Sequence, residues 1–256
     1  MIEKVKTAYW FLQRPSFWAQ AVELGRRKFT PDNDSPELRR KATQWASERA
    51  VDVAKALGVI GLHEGSAATV PQIPQTLLKE AEQRAARSAV EMGGPGDIDL
   101  LYAATRLSSA SRAIETGVAY GWSSLAILAG LEGGRLVSVD MPYPKMNNED
   151  FVGIVVSEQL GENWQLIREP DRNGLKKAIA KLGGTIDLCH YDSDKSYRGR
   201  KYAYPMLSEA LEPGGVFISD DIQDNFAFKE FVESWAVDFA VTAYQGKFVG
   251  IARKPL

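Results

Sequence analysis

The feature that most constrains the fold is a regular alternation of strand and helix patterns from Ser111 to the end of the 256-residue chain. Five strand patterns are joined by helical crossovers, whereas the last two are joined only by "QGK", which is too short for a crossover and requires antiparallel pairing. The sequence therefore predicts a doubly wound α/β fold, with a mostly parallel seven-stranded sheet closed by a C-terminal antiparallel hairpin. The predicted strands are RAIET, RLVSVD, WQLIRE, IDLCHY, VFISDD, DFAVTAY and KFVGIAR.

Residues 1 to about 95 contain no convincing strand pattern and are predicted to be helical. "TPDNDSP" and "GLHEGS" separate these helices, a longer one runs from about Pro74 to Met92, and Asp97 caps the next. We therefore expect two parts: a helical N-terminal segment, residues 1–95, and an α/β domain, residues 96–256. The aromatic and basic stretch 6–29 is expected to pack on that domain or on a second subunit, as in a homodimer. Contact with a membrane surface or a bulky apolar substrate is the alternative.

Composition excludes several classes of function. The net charge of −2 gives no reason to expect nucleic acid as a partner. The single cysteine, Cys189, excludes an internal disulfide, and the two histidines, His63 and His190, are too far apart in sequence to suggest a histidine metal site. No apolar run is long enough to cross a bilayer, and the N-terminus lacks a signal-peptide pattern. We therefore expect a cytoplasmic protein.

The loops after the strands are where ligands bind in such sheets. In "ETGVAYGWSS", Gly117 and Gly121 allow a tight turn, and Ser123 and Ser124 begin the following helix. Asp140 ends the second strand and can accept hydrogen bonds from both hydroxyls of a ribose, or it can cap the loop "MPYP". Together these features favour a nucleoside-bearing cofactor.

A second group of candidates follows the fourth and fifth strands. Asp192 in "DSDKSY" and the pair Asp220 and Asp221 bring three carboxylates to adjacent strand ends. A divalent cation would relieve their repulsion, and all-oxygen ligation suits magnesium, manganese or calcium. Alternatively the acids are solvated or cap helices, with Asp194 or Ser196 beginning the next helix.

A nicotinamide dinucleotide fold would have G-x-G-x-x-G in the first loop. Here the spacing is G-x-x-x-G, and Ala119 stands where the middle glycine would be. This loop and the reversed terminal hairpin resemble those of class I S-adenosylmethionine-dependent methyltransferases. The resemblance covers about Arg112 to Lys254. It implies that residues 96–256 form an S-adenosylmethionine-binding methyltransferase domain, and that the helices of residues 1–95 form a lid, substrate or oligomerisation segment. Along the methionine portion of the cofactor would lie Glu115, Gly117 and Gly121, and Ser123 or Ser124 would hold its carboxylate. The pocket would be shaped by Tyr120 and Trp122. Asp140 would bind the ribose, Met141 and Asp171 would border the adenine, and Asp192 would lie beside the sulfonium.

The D-x-x-K of Asp192 to Lys195, followed by an acidic pair, is similar to cation-dependent O-methyltransferases of the catechol, caffeoyl-coenzyme A and sugar types. In the first two types the second member of the pair is asparagine, whereas Asp221 resembles the pair of some sugar and antibiotic enzymes. This resemblance implies that Asp192, Asp220 and Asp221 bind Mg²⁺ or another divalent cation. Lys195, with Asp192, would be catalytic, either as a base or by holding the acceptor anion through its charge.

The sequence thus predicts a divalent-cation-dependent O-methyltransferase acting on a small-molecule or sugar hydroxyl. Two alternatives remain open: a metal-independent N- or O-methyltransferase, and a non-catalytic nucleotide-binding protein of the same fold. Nothing in the sequence identifies the acceptor.

Overall fold

The structure is a computed structural model that describes residues 2–142 and 147–256, with side chains from Thr7 onward. Within these residues eight strands form one sheet, in the order β1-β7-β8-β6-β5-β2-β3-β4. The strands are β1 (Ala50–Val51), β2 (Arg112–Thr116), β3 (Arg135–Val139), β4 (Trp164–Ile167), β5 (Ile186–Tyr191), β6 (Leu211–Ser219), β7 (Phe239–Tyr244) and β8 (Lys247–Arg253).

Helices cover both faces of the sheet and also form the N-terminal region. The α-helices are α1 (Ile2–Leu12), α2 (Trp18–Arg26), α3 (Pro36–Ser47), α4 (Val53–Val59), α5 (Gln75–Ala85), α6 (Ile98–Leu107), α7 (Trp122–Gly130), α8 (Glu158–Gly161), α9 (Asp171–Lys181), α10 (Tyr197–Ala210) and α11 (Ala227–Trp235). Short 3-10 helices occupy Pro15–Phe17, Arg27–Phe29, Ala67–Thr69, Glu149–Phe151 and Ile222–Asp224.

The topology confirms the predicted α/β fold. Strands β2 to β6 pair in parallel, and β8 runs antiparallel to both β6 and β7. The predicted count of seven strands is wrong by one, because Ala50–Val51 pairs in parallel with β7 at the sheet edge. A two-residue strand between helices is too short to produce an alternating pattern, so it could not be predicted from the sequence.

Two predicted helices are also shorter than expected. The "DFVGIVVSEQL" segment is mostly turn and ends in the four-residue α8. Gly153 adopts a φ of +77° there, and a Cβ at this position would lie 2.2 Å from the ring of Trp164. The predicted helix from Pro74 to Met92 ends at Ala85, and beyond it the Ser88 hydroxyl bonds to the Val90 backbone.

The sheet separates two apolar layers. One layer holds side chains from α4 to α7 and includes Leu57, Leu100 and Ile127, all fully buried. The other holds side chains from α3 and α9 to α11, where Tyr204 makes ring contacts with Phe217 and its neighbours. Because both faces are covered, the polar ends of the strands are left as the accessible part of the sheet.

The N-terminal helices pack on this domain through buried ion pairs. Glu23 on α2 is 4% exposed; it accepts hydrogen bonds from Arg198 and lies 3.3 Å from Arg172. Arg27 pairs with Asp194. The expected packing of residues 6–29 against the following domain is therefore present in the structure. Among the described helices, none has both the length and the hydrophobicity needed to cross a membrane.

Candidate active site

Four backbone hydrogen bonds position the strand-end residues. The N–H of Asp220 donates to the Tyr191 carbonyl at 3.0 Å, and that of Asp192 donates to the Thr116 carbonyl at 2.9 Å. The same pattern continues on the other side, where the Gly117 N–H donates to Val139 and the Asp140 N–H donates to Ile167. Each residue is thus held one step beyond its own strand by the neighbouring strand.

A cavity of about 700 Å³ opens over these strand ends. This volume is in the range of small-molecule sites. Besides strand-end loops, its wall includes the loop 92–97 and side chains from α1 and α2. The predicted site residues in the wall are Gly117, Trp122, Ser123, Asp140, Met141, Asp171, Asp192, Lys195 and Asp220; those outside it are Glu115, Tyr120, Gly121, Ser124 and Asp221.

The glycine-rich loop requires glycine at two positions. Gly117 has a φ of +78°, and a Cβ there would lie 2.5 Å from the carbonyl oxygen of Asp192. Gly121 has a φ of +90°, and its Cβ would lie 2.9 Å from the Cα of Gly153. These values are too short for any side chain, so the loop can approach its neighbours only with glycine present. Helix α7 begins directly afterwards, with Ser123 facing the cavity.

Glu115 lies beneath this loop and is fully buried. Its Oε2 accepts hydrogen bonds from the hydroxyls of Ser124, at 2.5 Å, and Ser138, at 2.7 Å. Ser124 is therefore already engaged below the loop, whereas Ser123 faces the cavity. Glu115 Oε1 lies 3.8 Å from Nδ1 of His190, and neither atom has a hydrogen-bond partner in the described structure.

His190 is a cavity residue that the sequence analysis missed. Burial disfavours its charged form, but Glu115, Asp192 and Asp220 together raise the pKa of His190 above its ordinary value. Its position in "IDLCHY", two residues before Asp192, was the available signal. Residues two apart along a strand point to the same face, so His190 and Asp192 share one. The other charged neighbours of His190, Glu115 and Asp220, are distant in sequence and gave no local signal.

Tyr120 shapes the cavity indirectly. Its hydroxyl donates to the Val90 carbonyl at 2.8 Å and accepts from the Met92 N–H at 3.2 Å. These bonds fix the start of the 92–97 loop, which lines the cavity.

Asp140 presents a carboxylate to the cavity. One oxygen accepts the Val118 N–H at 3.1 Å, and the other pairs with Arg168. Burial raises the pKa of Asp140 even though Arg168 opposes the change. Met141 also lines the cavity; of the loop "MPYP", Tyr143 and Pro144 lie outside the described residues.

Asp171 begins α9 and faces the same cavity. It accepts hydrogen bonds from the hydroxyls of Ser193, at 2.6 Å, and Tyr191, at 3.2 Å. Burial raises the pKa of Asp171 to about 6.

The residues of "DSDKSY" divide into two groups. Ser196 caps α10 by accepting the Gly199 N–H, and Asp194 bonds to Ser196 and to Arg27. Asp192 and Lys195 are in the other group and face the acidic pair. The predicted helix cap is therefore present, but it does not involve Asp192.

The predicted acidic cluster forms. Carboxylate oxygens of Asp192, Asp220 and Asp221 lie within 4.8 Å of one another. The ammonium group of Lys195 lies 3.0 Å from Asp192 Oδ1 and also bonds to Asp221. Burial opposes the charged lysine, but the two carboxylates raise the pKa of Lys195 well above its ordinary value. Lys195 is therefore a cation in this structure.

A buried arginine holds the acidic pair in place. The side chain of Arg200 is fully buried, and its Nη2 donates to the carbonyls of Asp220, at 3.1 Å, and Asp221, at 2.7 Å. Its Nη1 donates to Asn225. Asp221 has a φ of +51°, which is costly for a residue other than glycine. Arg200 thus compensates a strained turn.

Comparisons with known proteins agree with this architecture. Residues 114–222 match the family model described as "Methyltransferase domain". No curated protein matches the chain in sequence.

Several solved structures share the fold. An O-methyltransferase from Bacillus cereus in complex with SAH is 16% identical, with a TM-score of 0.53, over 79% of this chain and 100% of that one. The O-methyltransferase TomG from Streptomyces achromogenes, involved in tomaymycin synthesis and in complex with SAM, is 17% identical, with a TM-score of 0.50, over 73% of this chain and 93% of that one. The SAH-bound methyltransferase PaMTH1 from Podospora anserina is 18% identical, with a TM-score of 0.51, over 73% and 91%.

The matched segment runs from β2 to the turn after β6 and contains the glycine-rich loop, Asp140 and the acidic cluster. The chain therefore has the fold of class I methyltransferases, as predicted, and the segment that carries the candidate site matches a methyltransferase domain.

We expect Arg200→Met to destabilise the protein by about 2–4 kcal/mol, because buried carbonyl oxygens lose charge-assisted hydrogen bonds. The measurement is urea unfolding followed by circular dichroism. Lys201→Met, at the exposed neighbouring position, is the matched control and should stay within about 0.5 kcal/mol of wild type. Equal losses for the two variants would contradict the role assigned to Arg200.

Asp171 gives a pH-dependent prediction. Unfolded aspartate loses its proton near pH 4, whereas folded Asp171 keeps its proton until about pH 6. Between these values the unfolded state binds fewer protons, so this residue makes stability fall as the pH rises. The Asp171→Asn variant lacks this carboxyl group, so its free energy of unfolding should not fall in this way. Relative to wild type it should gain about 1–2 kcal/mol between pH 4.5 and 7. This is less than the full pKa shift implies, because the side chain faces the cavity and is screened by solvent. Urea unfolding of both proteins at pH 4.5 and at pH 7 measures this gain. If variant and wild type differed by the same free energy of unfolding at both pH values, the prediction would be contradicted.

Proposed function

We propose that this protein is an S-adenosylmethionine-dependent O-methyltransferase that acts on a small hydroxylated acceptor with the help of a divalent cation. One observation supports this most directly. The cavity has a glycine-rich loop and Asp140 on one side, and an acidic cluster with Lys195 on the other. The part of the cavity that would hold the cofactor therefore adjoins the part where the acceptor would react.

The described residues fit the cofactor. The glycine at position 117 lets this loop pack closely on the Asp192 backbone, and Gly117, Val118 and Ala119 form a stretch of cavity wall along which an extended ligand can lie. Ser123 lies near the start of α7, where backbone N–H groups favour a carboxylate. Asp140 offers an oxygen to ribose hydroxyls if Arg168 moves aside, and Met141 and Asp171 lie farther along the wall. When bound, S-adenosylmethionine supplies an electrophilic methyl group on a sulfonium. Two of the structurally similar O-methyltransferases hold SAH and SAM, which supports this assignment.

The acidic cluster also fits a hard cation. Three carboxylates with oxygens inside one 4.8 Å group form an all-oxygen donor set, which magnesium and calcium prefer. Burial and the Asp192 charge raise the pKa of Asp220, and no lysine or arginine pairs with Asp220 in the described structure. A divalent cation held by Asp192, Asp220 and Asp221 would favour the deprotonated form of an acceptor hydroxyl.

Lys195 is the chain's own electrostatic group beside that position. Because Asp192 and Asp221 keep it charged, its role as a holder of the acceptor anion is better supported than a role as base. The walls from α1, α2 and the 92–97 loop limit access of water and orient the acceptor oxygen toward the methyl donor, and such positioning supplies much of the rate.

A metal-independent methyltransferase is the second candidate. The observation that favours it is Lys195 itself, because its ammonium group pairs with both Asp192 and Asp221 without any metal ion. In that case Lys195 alone would stabilise the acceptor anion.

The cofactor assignment is tested by titrating the protein with S-adenosylhomocysteine and, separately, with NADH. We expect binding of the first only. Asp140→Ala should weaken that binding by about tenfold or more, since charge-assisted hydrogen bonds to the ribose are worth roughly 1.5–3 kcal/mol. Asp238→Ala, which removes an exposed carboxylate, is the control. Tight binding of NADH without binding of S-adenosylhomocysteine would overturn the assignment. An unchanged affinity of Asp140→Ala for S-adenosylhomocysteine would show that this acid has no ribose contact.

The metal is tested by methyl transfer from labelled S-adenosylmethionine to a panel of hydroxylated acceptors. EDTA should lower turnover by about a hundredfold or more, and added Mg²⁺ should restore it. Binding of S-adenosylmethionine should stay nearly normal. Asp220→Asn should reproduce the loss with Mg²⁺ present, whereas Asp238→Asn should not. Full activity in metal-free buffer would contradict the cation and leave the methyltransferase assignment intact.

A further inference from the structure

The first two helices expose an apolar surface beside the cavity. Trp18 and Val22, one turn apart on α2, are 52% and 53% exposed, and Phe29 on the following 3-10 helix is 91% exposed. Tyr9 and Leu12 at the end of α1 are 62% and 66% exposed. We call these five residues the N-terminal face. Large side chains exposed together in this way usually mark an interaction surface.

The orientation of α2 is the reverse of an ordinary surface helix. A surface helix normally turns its apolar side toward the core and its charges toward water. In α2 the carboxylate of Glu23 is buried against Arg198 and Arg172, while Trp18 and Val22 face solvent. The ion pairs fix this orientation, so the exposure of the apolar side belongs to the folded structure.

Charge distinguishes this region from the rest of the protein. Residues 1–30 contain six basic residues and two acidic ones, whereas the whole chain has a net charge of −2. Glu23, one of the two acids, is buried. Arg26 and Lys28 are exposed next to the N-terminal face, and neither has an acidic partner within the part of the chain that the structure describes. Apolar and aromatic side chains flanked by unpaired cations are the composition of a helix that lies on an anionic bilayer.

We propose that the N-terminal face docks on an anionic lipid bilayer. A second copy of this chain is the less favourable occupant. A two-fold dimer through this surface would bring the basic flanks of both copies to one interface, where the N-terminal face offers no acidic side chain to offset them. An anionic bilayer instead complements both the apolar face and its charges.

Docking would place the cavity at the bilayer surface. Phe11, Gln20, Leu24 and Arg27 come from the same helices as the N-terminal face, and they line the cavity wall. An acceptor dissolved in the membrane could then enter without crossing bulk water. This consequence rests on the proposed methyltransferase function, whereas bilayer binding itself does not.

The test is flotation of the full-length protein with vesicles of phosphatidylcholine, with and without phosphatidylglycerol. We expect the protein to float only with the anionic vesicles, and to be released by high salt. Arg26→Glu with Lys28→Glu should weaken binding by about tenfold or more, and Trp18→Ser with Phe29→Ser should weaken it comparably. Lys55→Glu and Val59→Ser are matched controls, since both positions are exposed on α4, and they should float like wild type. Circular dichroism and S-adenosylhomocysteine binding serve as folding checks.

Three results would each overturn the proposal. The first is no flotation with anionic vesicles, and the second is equal flotation with neutral ones. The third is self-association, measured by sedimentation equilibrium, that the same two double variants abolish while vesicle binding is absent. A protein that floats as expected but transfers no methyl group would leave this inference standing and count against the proposed function alone.

Discussion

The candidate site depends on the hydrogen-bond ladder of the parallel sheet, which continues for one residue beyond the strands. Asp220 is tied to β5, Asp192 to β2, Gly117 to β3 and Asp140 to β4, in every case through a backbone N–H. The distance between Asp140 and the acidic cluster is therefore set by strand spacing and does not rely on loop conformation. Residues that are far apart in sequence become neighbours because parallel strands end at the same edge. A substitution that leaves the ladder intact can change the chemistry of the site without moving its parts.

Electrostatic balance is the second requirement, because the cavity concentrates acids in a partly buried space. The acids in and beside the cavity are stabilised in different ways: Asp140 pairs with Arg168, Asp194 pairs with Arg27, and Asp171 accepts two hydroxyl hydrogen bonds. Asp192 and Asp221 share Lys195, whereas Asp220 accepts the Asp221 backbone N–H and otherwise has only the longer-range fields of His190 and Lys195. The uneven distribution leaves Asp220 as the acid with most to gain from a bound cation. Arg200 holds the turn that contains Asp220 and Asp221, and its buried charge-assisted hydrogen bonds offset the backbone strain at Asp221.

The sequence predicted what periodicity and strand-end position determine. The seven longer strands, the cap at Asp97 and the grouping of Asp192 with Asp220 and Asp221 all follow from patterns within a few residues or from the rule for strand ends. The failures were features decided by distant partners. Strand β1 exists only because β7 lies beside it, and the segment after Asp150 is kept from forming a long helix by Gly153 packed under Trp164. The engagement of Ser124 by Glu115 and the place of His190 in the cavity likewise depend on packing between strands and helices.

Glu23 connects the two roles that the N-terminal helices have in this structure. A carboxylate that is 4% exposed needs cations around it, and Arg198 on α10 and Arg172 on α9 provide them only when one particular side of α2 faces the domain. That choice turns Gln20 and Leu24 toward the cavity and Trp18 and Val22 toward solvent. Apolar burial alone would favour the opposite rotation. The ion pairs therefore set both the cavity wall that α2 forms and the exposed surface next to it, so a change in one is expected to alter the other.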